Sequence, residues 1–71
     1  MMMMFKCHSE TKAVEGSFRF KVGTVWGLLV DPVKDDKFVA LSRMEKTETG
    51  TKLKQEIISV DKLKKCFWRI A

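Results

Sequence analysis

The sequence predicts one small all-β domain with a single helical turn near its C-terminal end, residues 1–71 forming one unit. Three observations lead there. Between residues 17 and 31, Phe18, Phe20, Val22, Trp26, Leu28 and Val30 recur at every second position, with only Thr24 interrupting, and this is the period of a strand rather than of a helix. Thr47-Glu48-Thr49-Gly50-Thr51 supplies a hairpin turn between two further apolar runs. A chain of 71 residues is too short to close two cores, and with 45% apolar and 32% charged residues it has the composition of a folded protein.

Taken in order, residues 3–9 suit a first strand, with residues 1–3 left open as a disordered end. The apolar opening Met1 to Phe5 is too short for a signal peptide or a membrane span. A polar loop over residues 10–16 leads to the long second strand. Fourteen residues of alternation cannot stay flat in so small a domain, so Gly23 and Gly27 should mark bends or bulges and the strand should curl across two sheets. Asp31-Pro32 ends it, and residues 33–36 complete a charged loop.

Residues 37–45 read as a third strand. Residues 52–60 are ambiguous, because Ile57, Ile58 and Val60 favour a strand paired through the hairpin turn, whereas Leu53, Ile57, Val60 and Phe67 follow helical spacing. The helical alternative gives an α+β fold with a basic C-terminal amphipathic helix on a three-stranded sheet. Residues 61–65 suit one helical turn capped by Asp61 and anchored by Leu63, and residues 66–70 a short last strand. The expected core is Phe18, Phe20, Val22, Trp26, Leu28, Val30, Ile58 and Trp68.

Five strands, a long bent second strand, a tight hairpin between the third and fourth, and a helical turn before the last strand resemble an SH3-like, partly open small β-barrel. The resemblance lies in element order over nearly the whole chain. The chain has no Tyr, which disfavours the polyproline recognition of signalling SH3 domains, and it lacks the glycine-centred signature of KOW domains. SH3-like barrels serve nucleic-acid and protein recognition and rarely carry catalysis, which is what the resemblance implies here. It also implies that first and last strands lie side by side, bringing Cys7 and Cys66 together, so that a disulfide or a metal becomes conceivable. His8, however, should face away from Cys7, and buried thiols with no metal are the expectation. Two cysteines are too few for the disulfide framework of a small secreted domain, which points to free thiols and a cytoplasmic location.

Catalytic equipment is sparse. There is one His, no phosphate-binding glycine loop and no nucleophile elbow, and the carboxylate pair Asp35-Asp36 sits between lysines in a loop. A non-enzymatic binding module without cofactors is therefore expected. The net charge of +5 is concentrated, since residues 52–71 hold six cations (Lys52, Lys54, Lys62, Lys64, Lys65 and Arg69) against Glu56 and Asp61. Phe67 and Trp68 lie beside them, and one of the two must face outward in an alternating strand. Cations beside an exposed ring are the means of holding nucleic acid, phosphates by charge and bases by stacking. Arg19 and Lys21 could extend that patch. Eleven lysines against three arginines suit charge-driven, weakly sequence-specific contact.

The rival expectation is an adaptor or inhibitor, of the kind phages and mobile elements encode, that docks on a larger protein through Val25, Leu29, Val39 and Leu41 if these form an outward stripe. A second copy of the chain could cover the same stripe.

Overall fold

In the computed structural model, which describes residues 2–14, 16–28 and 37–71, an open antiparallel sheet of five strands is faced by a two-stranded sheet. The elements are β1 (Met3–Cys7), β2 (Thr11–Lys12), β3 (Arg19–Phe20), β4 (Val25–Leu28), β5 (Phe38–Thr47), β6 (Gly50–Ser59), α1 (Val60–Cys66) and β7 (Phe67–Arg69). The main sheet runs β6-β5-β4-β1-β7, and β2 pairs with β3. The all-β class with one short helix is the one read from the sequence. Met3, which that reading assigns both to the open end and to the start of the first strand, begins β1 with its side chain buried.

The β5–β6 hairpin resolves the ambiguity of residues 52–60 in favour of a strand through Ser59, while Val60 opens the helix. Ten consecutive pairs run from Phe38↔Ser59 to Thr47↔Gly50, satisfying the inner backbone edge of both strands. Neither Glu48 nor Thr49 takes positive φ, so the twist mismatch of the tight turn is absorbed by Gly50 at φ 134°. The Thr47 hydroxyl donates to the Gly50 carbonyl at 2.9 Å and fixes the corner.

Helix is confined to α1. Its cap is Ser59, whose Oγ accepts from the Lys62 N–H at 3.2 Å, two residues before the expected Asp61. Asp61 instead lies in the first turn, with Lys64 and Lys65 in the last, each at the end of the helix dipole that favours its charge. Leu63 is the buried anchor, and the Phe67 N–H donates to the Leu63 carbonyl where the helix stops.

The long second strand is two strands. At residues 21–24 the Thr24 N–H donates to the Lys21 carbonyl at 3.2 Å, its Oγ1 donates to the same oxygen at 2.7 Å, and Gly23 takes φ 91°. The curl across two sheets is thus a tight turn, possible because glycine carries no Cβ to clash at positive φ. Val22 rides the outside of that turn, 62% exposed, and is not part of the core. Gly27 makes no bend. It lies in β4 opposite Met4, where a Cβ would run into the Met2 thioether lying across it.

The stretch read as a polar loop contains β2, and the Val14 N–H donates to the Ile57 carbonyl at 2.8 Å, tying it to the outer edge of β6. The small sheet thereby closes over the inner face of the large one. Between them lie Phe5, Cys7, Phe20, Trp26, Leu28, Val39, Leu41, Ile58, Leu63 and Phe67, with Phe18 packed at the margin. Phe20 is the hub, meeting Phe18, Trp26 and Phe67 edge-on at ring-centroid distances of 5.2, 5.0 and 5.5 Å.

Register settles which parity faces inward. Gly27 pairs with Ser42, so the even positions of β4 share a face with the odd positions of β5. Val39 and Leu41 are consequently buried, Leu41 completely, and do not form the expected outward stripe. Val25 is half-buried on the other face, and Leu29 lies outside the described residues, as do Val30 and the charged loop of residues 31–36.

Candidate nucleic-acid interface

The helix α1 turns the chain so that β7 runs antiparallel along β1, with Cys7 opposite Phe67, Lys6 opposite Trp68 and Phe5 opposite Arg69. Alternation then sorts the two aromatics. Phe67 points inward against Phe20 and is core, so it is unavailable to a ligand, while Trp68 points outward and is 60% exposed rather than buried as expected. The Trp68 ring stacks on His8 with centroids 4.5 Å apart and planes 31° apart. Lys6, His8 and Trp68 therefore form one outward platform.

Lys62, Lys64 and Lys65 are exposed on α1, which leads directly into β7, and Arg69 is exposed next to Trp68 with its Nε donating to the Ala71 carbonyl at 3.2 Å. Lys6 and His8 are functional candidates that sequence reasoning missed. The signal was available, since pairing of first and last strands sets the even residues of β1 beside the outward residue of β7.

The remaining expected cations lie elsewhere. Arg19 and Lys21 share the carboxylate of Glu10, at 3.5 and 3.1 Å. Lys54 places its ammonium 4.4 Å above the Phe18 ring and 4.0 Å from Glu56, while Lys52 stands opposite Glu45 in register. Arg43, which was not anticipated, covers the Trp26 ring at 5.5 Å. Arg19, Lys21, Arg43, Glu45, Lys54 and Glu56 border an open cleft of about 660 Å³ on the inner side of the sheet. Each exposed pair contributes little to stability, but every carboxylate there reduces the field a phosphate would meet. The ten expected residues thus divide into Trp68 on the platform, Lys62, Lys64 and Lys65 on the helix that leads to it, Arg69 next to Trp68 in the chain but paired with Phe5, a partly neutralised group on the inner side (Arg19, Lys21, Lys52 and Lys54), and Phe67 in the core.

The two cysteines come together as the barrel resemblance implies. The Cys66 carbonyl accepts from the N–H groups of His8 at 2.8 Å and Ser9 at 3.2 Å, and both thiols are free. Burial, reinforced by the neighbouring Cys66 and Glu10, pushes the Cys7 thiol above its ordinary value of 9.0. The neutral thiol's contribution to stability is therefore complete below that pH and is lost as pH rises through the higher folded-state value. Thiol counting with a chromogenic disulfide reagent at neutral pH should give one fast equivalent, from half-buried Cys66, and a second only in denaturant. Two fast equivalents in the native protein would contradict the burial of Cys7.

Among the described residues no cluster of three or more His, Cys, Asp or Glu side chains could hold a metal ion, and no helix is long and apolar enough to cross a membrane. His8 has the Ser9 hydroxyl 3.1 Å from its Nδ1, and among the described residues no carboxylate is hydrogen-bonded to the ring. Compared with protein-family models, with curated proteins and with solved structures, the chain matches none.

Proposed function

We propose that this chain is a small non-enzymatic module that binds single-stranded nucleic acid with weak sequence specificity. The observation that carries the reading is the exposed Trp68 ring, held flat by His8 with Lys6 as its cross-strand partner, and with the lysines of α1 and Arg69 close by in the chain. A base can stack on the indole while its phosphates meet ammonium groups that have no carboxylate partner among the described ion pairs. Lysine holds a phosphate as a point charge and reads no base edge, hence the weak specificity.

The order of elements supports the resemblance to SH3-like barrels, with first and last strands adjacent, a tight hairpin and a helical turn before the last strand. Of the four residues assigned to the competing protein-docking reading, Val39 and Leu41 are core, Val25 is half-buried on the outer face, and Leu29 lies outside the described residues.

The test is fluorescence anisotropy of labelled single-stranded DNA and RNA at two salt concentrations, with wild type and Trp68→Ala. Loss of one base–indole stack, about 1–3 kcal/mol, should weaken binding roughly 5- to 150-fold without lowering the melting temperature. Trp26 is buried, so quenching of indole fluorescence on binding should vanish in the same variant. Equal affinity of the two proteins would reject the platform, and absence of binding at low salt would reject the function.

A further inference from the structure

Resting on the reading of the Trp68 platform as a nucleic-acid site, we propose that His8 makes this site pH-dependent, so that its affinity for single-stranded nucleic acid rises as pH falls from about 8 to about 5.5. His8 is the one histidine in the chain, and imidazole is the side chain whose ordinary titration falls in that range. Its position is fixed. The His8 N–H donates to the Cys66 carbonyl at 2.8 Å, the Ser9 hydroxyl lies 3.1 Å from Nδ1, and the imidazole packs against the exposed Trp68 indole with centroids 4.5 Å apart. One face of the indole is thus taken by imidazole, which leaves the other for a base. Protonation sets a full positive charge beneath the ring on which that base lies. The imidazolium meets the indole as a cation meets a π system, and it adds to Lys6 a second charge for the phosphates on either side of the base.

The groups around the ring leave this charge to the ligand. On β1 the same face carries Lys6, which stands opposite Trp68. On β4 the backbone beside this end of β1 belongs to Gly23 and Thr24, which carry no titratable side chain. β7 supplies Arg69, and α1 supplies the Cys66 thiol, the exposed Lys62, Lys64 and Lys65, and Asp61 in its first turn. Glu10, two residues along the chain, has its carboxylate shared by Arg19 and Lys21. Among the described residues no carboxylate forms an ion pair with His8. The counter-charge for an imidazolium is therefore a phosphate of the bound strand, and by linkage binding favours protonation by the same factor as protonation favours binding.

Fluorescence anisotropy with labelled oligothymidine and oligouridine, whose bases take up no proton in this range, tests the switch at the two pH values and matched ionic strength. A unit charge about 6 Å from a phosphate in water changes affinity about threefold, and more where base and indole exclude water, so wild type should bind about three- to tenfold more tightly at the lower pH. The salt slope should steepen by about 0.7, one further phosphate contact. His8→Gln, which keeps the N-terminal amine, should bind equally at both. His8→Arg, whose planar cation stacks on indole, should bind at the higher pH as tightly as wild type at the lower, and it carries the test should the Gln variant unfold. In the free protein, emission of Trp68 should fall on acidification, because an imidazolium quenches an indole it touches, and this change should be absent from His8→Gln. Wild-type affinity that does not rise on acidification overturns the switch and leaves the platform standing. A pH effect that persists in folded His8→Gln overturns its assignment to His8. Absence of binding at both pH values rejects the platform, and the switch with it.

Discussion

Replacing Phe20 by Ala should remove most of the stability of the domain. The side chain is completely buried, with edge-on contacts to Phe18, Trp26 and Phe67. Truncating a buried Phe costs about 3–5 kcal/mol, through lost transfer energy and the cavity left behind. At the usual 0.05–0.15 kcal/mol per residue, a chain of this length has only about 4–10 kcal/mol to lose. The position also has a topological role. Phe20 lies on a two-residue strand whose ladder is with β2, so its ring, together with the Val14–Ile57 hydrogen bond, joins the small sheet to the large one. Urea denaturation should show the midpoint collapsing, and hydrogen exchange should show amides of β2 and β3 opening before those of the β5–β6 hairpin. Phe20→Leu should recover part of the loss. A midpoint within experimental error of wild type would mean that the two sheets are held by something other than this ring.

How much of this was legible in the sequence differs from element to element, and the differences have physical causes. The β5–β6 turn and α1 were legible because their signals are local: a glycine at the turn and a polar stretch anchored by Leu63; residues 52–60 stayed open between strand and helix, and the cap was read at Asp61 rather than at the Ser59 hydroxyl. The long alternating segment misled because period two survives a turn of even length. Phe18, Phe20, Trp26 and Leu28 do all face the interior, yet the turn at residues 21–24 moves them from one sheet to the other and leaves Val22 in water. Gly23 was the visible sign of the break and was read as a bend. Inter-strand register is not local at all. Whether Val39 and Leu41 point in or out depends on Gly27 meeting Ser42, and no residue in either segment announces that pairing.

The candidate site followed the same division. That one of Phe67 and Trp68 must be exposed follows from alternation. Which one depends on where α1 stops, since Phe67 serves as its C-cap and enters the core behind Leu63. Counting charge along the chain was the less reliable guide. It grouped Lys52 and Lys54 with Lys62 to Lys65, although the first pair sits beside Glu45 and Glu56 on the inner face of the hairpin. It also left Glu10 outside the account, while across the β2–β3 hairpin this residue reaches both Arg19 and Lys21. A cation's use depends on what stands next to it in space.

That distinction makes the α1 lysines the most consequential positions for binding. Changing Lys62, Lys64 and Lys65 together to Glu replaces three positive charges by three negative ones, taking the net charge from +5 to −1. Single-stranded contacts contribute about 0.7 each to the salt slope of affinity, so losing three should flatten it by about 2. Repulsion in place of attraction should weaken binding at low salt on the order of a thousandfold, about 4 kcal/mol. The fold should survive, because all three side chains are exposed and the anchor Leu63 is untouched. Glutamates in the last helical turn oppose the helix dipole by about 0.3–1 kcal/mol each, so a small drop in melting temperature is expected, and the triple Gln variant separates that effect from loss of charge. The decisive comparison is with Arg19, Lys21 and Lys54 changed to Gln, which should weaken binding far less because Glu10 and Glu56 already offset those charges. Equal losses from the two Gln triples would mean that affinity follows net charge alone, and the platform around Trp68 would then have no privileged role.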